Sequence, residues 1–194
     1  MTVQLARRLF TTTEYEQMVA AGLLGEDDRV ELLDGEIVQM SPIGSRHAAC
    51  VNRLTRLLTR VVGQKAIVSV QNPVRLDDYS EPEPDLAVLV YREDFYAEAH
   101  PTPQDVLLLI EVVDTSAEQD RSVKLPLYAR AGIPETWLVD LEAGVVDAYR
   151  TPSAEGYLLR QRYLPGQTVT TEDGTLAVAV DEVIGRHKAD APVG

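Results

Sequence analysis

Apolar positions along this chain follow two periods, and the change from one to the other marks out its elements. Within Ser45 to Val62, Val51, Leu54, Leu58 and Val61 fall at i, i+3, i+7 and i+10, one apolar stripe of a helix that Gly63 ends. Arg53, Arg56 and Arg60 form a second stripe turned away from the first. Upstream, Thr11 to Thr13 precede Glu14–Ala21, with Gly22 behind, which predicts a short capped helix. Arg29–Leu33 and Glu36–Met40 flank Asp34-Gly35, a pair that signals a two-residue hairpin between apolar runs. Val106 to Val113 (VLLLIEVV) is the most apolar run. Its lack of alternation predicts a central strand covered on both faces.

The remaining segments complete the pattern. Ala66–Gln71 and Val74–Leu76 read as strand interrupted by Pro73, and Glu81-Pro-Glu-Pro-Asp85 is extended because each residue before a proline is pushed out of the helical region. Leu86–Tyr91 reads as strand, and Asp94 to Pro103 as a loop or short helix. Ser116 with Gln119 forms a capping box, opening a helix that runs to Ala131 and stops at Gly132. Pro126 should kink it, at a cost of about 3 kcal/mol unless it escapes the clash with the preceding turn. Glu135–Asp140, Val145–Tyr149 and Tyr157–Leu164 read as strands, with Gly144 turning the first into the second. The order predicts an α/β fold, a mixed β-sheet flanked by helices in one domain over residues 1–185, with 186–194 as a flexible tail. The helix between strands 106–113 and 135–140 makes a βαβ-like crossover, so those strands should run parallel as neighbours or near neighbours.

Composition narrows the class. With 194 residues, 45% hydrophobic and 25% charged, the chain can bury a real core. No apolar run approaches the roughly 20 residues a membrane helix needs, and no signal peptide is visible behind Arg7 and Arg8. Cys50 is the single cysteine, so internal disulfides and thiolate metal clusters are excluded and a reducing cytoplasm is expected. The net charge of −13 argues against non-specific nucleic-acid binding. The charge is uneven, however: residues 37–76 hold Arg46, Arg53, Arg56, Arg60, Lys65 and Arg75 and no acidic residue. That segment is either a basic patch on an acidic body or a solvated helix face.

Two carboxylates carry the candidate chemistry. Glu111 interrupts an otherwise apolar strand, where a buried carboxylate must be paired, protonated or bound to a cation. If the strand end is exposed, Glu111 simply meets water. Asp85, behind Pro84, begins the strand 85–91. If that strand runs antiparallel to 106–113, the two carboxylates meet, and their repulsion calls for a cation between them. Oxygen donors suit Mg²⁺ or Mn²⁺, and no Cys/His set suits zinc. The alternative for Asp85 is a loop residue accepting backbone N–H bonds. Lys124 either leans toward the same site or pairs with Asp120 at i, i+4, and spacing favours the ion pair. His47 reads as a core or cap residue, and Glu31, beside the hairpin turn, as less informative than Glu111. Gly-rich phosphate loops, G-x-S-x-G and H-E-x-x-H are all absent from the sequence.

With these residues in view, the chain resembles the Uma two endonuclease family of the PD-(D/E)XK superfamily. The resemblance rests on VELLDGEIVQMSP (30–42) with His47 after it, PEPDLAVLV (82–90), LLLIEVVDTSAEQD (107–120), Lys124 with Tyr128, and AGIPETWLVD (131–140). It implies a restriction endonuclease-like fold and a Mg²⁺-dependent hydrolysis of DNA phosphodiester bonds, with Asp85, Glu111 and the backbone carbonyl of Val112 as metal ligands. The motif lysine usually lies two residues after the acidic one, where this chain has Val113, so the resemblance points to Lys124 on the following helix. Asp114-Thr115 also departs from the family's Ser-Pro. Arg53, Arg56 and Arg60 would contact backbone phosphates, and a homodimer is implied by analogy. Two other readings stand beside it: a non-catalytic nucleic-acid-binding or scaffold protein, which Val113 and the −13 charge favour, and a small-molecule phosphoesterase.

Overall fold

The computed structural model describes residues 7–25, 28–114 and 120–185. Helix α1 (Thr12–Ala20) starts two residues before the expected Glu14, because Thr11 caps it and exchanges hydrogen bonds with Glu14 in a capping box. The hairpin β1 (Val30–Leu33) and β2 (Glu36–Gln39) turns at Asp34 and Gly35, both at positive φ (47° and 78°). That backbone matches the primed turns that two-residue hairpins favour. A Cβ on Gly35 would stand 2.6 Å from Leu9 Cβ, so the turn needs glycine for space as well as for φ.

Helix α2 (Ser45–Val62) has the expected bounds and buries Val51, Leu54 and Leu58 of the expected stripe together with Cys50, but Val62 takes the inward position and Val61 is exposed. Six strands form the main sheet in the order β3-β4-β5-β6-β7-β8: β3 (Ala66–Val70), β4 (Leu86–Val90), β5 (Val106–Val113), β6 (Glu135–Asp140), β7 (Val145–Ser153) and β8 (Gly156–Tyr163). All neighbours pair antiparallel except β5 and β6, which are parallel, as the crossover between them requires. The sheet is therefore mixed, with helices against it, as the element order predicts.

Two expectations change. Val74–Leu76 is not a strand. Val74 N bonds Pro82 O and Leu76 N bonds Ser80 O, folding the segment onto its own loop. Pro82 and Pro84, lacking N–H groups, cannot extend a ladder there. The helix expected from Ser116 is described only from Asp120, and its capping box lies outside the described residues. A π-helical turn (Asp120–Lys124) leads into a short α3 (Leu125–Arg130). Pro126 thus sits in the first turn of an α-helix, where a missing N–H costs little. The expected tail, 186–194, lies outside the described residues, and the chain adds a small hairpin, β9 (Thr168–Thr170) and β10 (Ala177–Ala179), and helix α4 (Val180–Ile184).

Two apolar layers hold the sheet. One joins α2, α4 and β10 to Val88, Leu108, Ile110, Val112 and Trp137. The other joins α3 and the first hairpin to Ala87, Leu89 and Leu109 on the opposite face. Among the described residues no helix is long and apolar enough to cross a membrane.

Candidate active site

Strand register brings the two acidic residues together. Leu86 pairs with Ile110 in the antiparallel β4–β5 ladder, so one step further sets Asp85 opposite Glu111. Residues directly opposite point to the same face, with Cβ atoms about 5 Å apart. Asp85 N lies 3.4 Å from Glu111 Oε2.

Both carboxylates are oriented by neighbouring groups. Asp85 Oδ2 accepts the Val112 amide at 2.8 Å and stands 2.9 Å from His47 Nε2. Its Oδ1 is 3.4 Å from Gln71 Nε2, a long contact. Glu111 Oε1 accepts the Tyr128 hydroxyl at 2.5 Å and lies 3.4 Å from Lys124 Nζ. The ammonium of Lys124 is also 3.0 Å from Glu31 Oε2. Exposure decides how these charges behave: Glu31 is 2% exposed, Glu111 3% and Lys124 6%. Removed from water, the two carboxylates depend on the single ammonium between them as counter-charge.

Glu31, His47, Gln71, Asp85, Glu111 and Lys124 border a small polar cavity of about 70 Å³, also lined by Arg29, Met40, Ser41, Ile43 and Glu83. Its carboxylates (Glu31, Glu83, Asp85, Glu111) outnumber its formal cations (Arg29, Lys124) by two, the charge of one divalent ion. Burial pushes the Glu83 carboxyl above its ordinary range, and the nearby Glu31 charge adds to the rise. Among the described residues no set of three or more His, Cys, Asp or Glu side chains is arranged to hold a metal. The donors present do suit Mg²⁺, which takes oxygen from one or two carboxylates and keeps several waters. The cavity exceeds the roughly 30 Å³ share of one liquid water, so an ion and part of its hydration fit.

The sequence pattern suggested Asp85 and Glu111 as a pair and the family resemblance added Val112 and Lys124; all four line this cavity. Lys124 lies against Glu111 and Glu31, whereas its spacing favoured Asp120, whose side chain is outside the described set. Val113, at the usual lysine position, is fully buried core. The arginine stripe lies elsewhere. At 1.5 Å per residue, Arg53, Arg56 and Arg60 stand roughly 9 to 20 Å along α2 from His47. Arg53 Nε donates to Val183 O at 3.0 Å, and its guanidinium packs on Gly185, where a Cβ would meet it at 2.7 Å. Arg56 and Arg60 are exposed. Sequence reasoning left His47, Gln71, Glu31 and Arg46 out of the site. Arg46 spans the same end of the sheet, 3.0 Å from Asp114 Oδ1 and 2.9 Å from Leu141 O. The one available signal for Glu31 was the one used for Glu111, a lone acid in an apolar strand.

Comparison with known proteins bears on the family and the fold. No curated protein matches the chain. A solved structure titled "a putative nuclease belonging to DUF820 from Anabaena variabilis ATCC 29413" superposes with a TM-score of 0.67, covering 86% of this chain and 96% of that one. At 16% identity the likeness is one of fold. The family model Uma2, described as "Putative restriction endonuclease", matches residues 12–181, and the chain therefore belongs to the Uma two (Uma2) family.

Proposed function

We propose that the protein is a Mg²⁺- or Mn²⁺-dependent endonuclease that hydrolyses phosphodiester bonds in DNA. The observation that carries this reading is the pairing of Asp85 and Glu111 across β4 and β5, with the buried Lys124 ammonium against Glu111. Asp85, Glu111 and the Val112 carbonyl would hold the cation. When bound, such an ion acidifies a coordinated water and neutralises phosphate charge. The Val112 amide and His47 orient Asp85, and Tyr128 and Lys124 orient Glu111. Lys124 keeps a positive charge beside the place where phosphoryl charge would grow. A homodimer belongs to the same reading, since one such site per chain cuts one strand at a time, and a reducing cytoplasm suits a single-cysteine chain.

The test incubates purified protein with supercoiled plasmid and Mg²⁺ or Mn²⁺, with chelator as control. Nicking that disappears with chelator and falls at least about 100-fold in Asp85→Asn is expected, since a lost ligand should cost no less than a lost supporting contact. Undiminished nicking in Asp85→Asn overturns the assignment. DNA binding without cleavage by the wild type supports the non-catalytic alternative.

A further inference from the structure

The hairpin β1–β2 is outside the main sheet, yet it delivers one of the most deeply buried charges in the molecule. Glu31 is on β1 opposite Val38, on the hairpin face that also carries Leu33 and packs against α3. Its Oε2 lies 3.0 Å from Lys124 Nζ and also accepts the Glu83 amide at 3.1 Å. One carboxylate oxygen thus ties together the lysine-bearing π turn and the extended segment that ends at Asp85. The hairpin is itself held in place by separate contacts: Glu81 N to Leu32 O at 2.8 Å, Gly35 N to Tyr79 O at 2.7 Å, and Arg130 to Asp34 at 2.9 Å.

We infer that Glu31 is a positioning residue whose carboxylate holds Lys124 against Glu111, so that docking of the hairpin sets where the site's ammonium stands. This deepens the nuclease reading and rests on it for its consequence, though not for its geometry. The reason is electrostatic. Lys124 arrives from a turn well beyond the end of β5 instead of from the strand itself, so its long side chain needs a second anchor besides Glu111. With Glu31 made neutral, the ammonium loses the shorter of these two ion pairs, 3.0 Å against 3.4 Å to Glu111, and is held less firmly. Glu31→Gln keeps the size and the acceptor for the Glu83 amide and removes only the charge.

The test measures acylation of Lys124 by mass spectrometry in the folded full-length chain. Glu31→Gln should label about tenfold faster than wild type, because a weakened ion pair opens more often. Labelling at the wild-type rate in a variant with an unchanged melt overturns the inference. If Glu31→Gln does not fold, the pair Glu31→Gln/Lys124→Met decides the matter. Recovery of folding in the double variant supports the coupling, and failure to recover refutes it. Plasmid cleavage then gives the consequence: kcat in Glu31→Gln should fall to that of Lys124→Met, fall no further in the double variant, and leave KM unchanged. Independent, additive losses overturn the positioning role. A wild type that cleaves nothing defeats the nuclease reading alone, because the labelling result stands without it.

Discussion

Individual residues here divide into those whose surroundings the chain announces and those that only neighbours define. Cys50 is of the first kind. It lies on the apolar face of α2, is fully buried, and its Sγ is 3.4 Å from Val183 O. Burial pushes its thiol from 9.0 to about 11. It should therefore resist thiol reagents in the folded state and react on unfolding. Between pH 9 and 11 the unfolded chain loses this proton first, so stability is intact below pH 9 and falls as pH climbs, by up to roughly 2–3 kcal/mol. Urea melts at pH 8 and pH 11 check this: Cys50→Ala should flatten the decline, and an equally steep decline in the variant would refute it. Glu31 and His47 are of the second kind. A glutamate near a hairpin tip is a weaker signal than Glu111, and a histidine in the first turn of a helix looks ordinary in sequence. Their partners, Lys124 and Asp85, lie 93 and 38 positions away.

At the scale of elements, the stripe of α2 reads as a helix because its apolar spacing admits one face only, and Leu54 and Leu58 on that face are fully buried. Truncation of Leu54 to alanine should cost about 2–5 kcal/mol, measured by urea denaturation. The β7–β8 pair contains a less obvious anchor. Asp147 is fully buried and accepts hydrogen bonds from Arg160 and Arg162 at 2.8–2.9 Å. Burial pushes its carboxyl up, but those arginines outweigh burial and hold it below its ordinary 3.8. Its contribution is thus present above about pH 4 and is lost as pH falls through the depressed folded value. Asp147→Asn should cost roughly 1–3 kcal/mol near neutrality. The cost should shrink in acid, and a pH-independent difference between the two melts would count against the pairing.

For the whole molecule, the −13 charge and the proposed DNA substrate oppose each other, so phosphate contacts must be local. On the proposed reading, Arg29 and Arg46, nearer the cavity, are better placed for phosphate than the distal stripe. Arg46 follows the sheet end next to His47, and Arg29 lines the cavity itself. Arg53 is tied to α4 through Val183. Fluorescence anisotropy with a DNA duplex between about 50 and 200 mM salt should show that Arg46→Ala lowers affinity and reduces the log–log slope by about 0.9. Arg53→Ala should leave that slope unchanged while lowering the melting temperature. The reverse pattern would move the DNA path onto α2.

Periodicity and composition determined most of the secondary structure: the stripe of α2, the Asp-Gly hairpin, the unbroken apolar β5 and the parallel pair implied by its crossover. These depend on neighbours a few residues apart, which a sequence displays. Asp85 and Glu111 were legible too, because a lone acid within apolar surroundings stands out and a proline fixes the backbone before Asp85. Tertiary structure alone decided that Val74–Leu76 closes a loop, that Pro126 begins a short helix after a π turn, and that Glu31, His47 and Gln71 join the site. Each of those outcomes is set by register and by side-chain contacts across tens of positions. Such contacts leave no periodic trace, since their energy comes from pairing buried charges that meet only after the sheet, the hairpin and both helices have assembled.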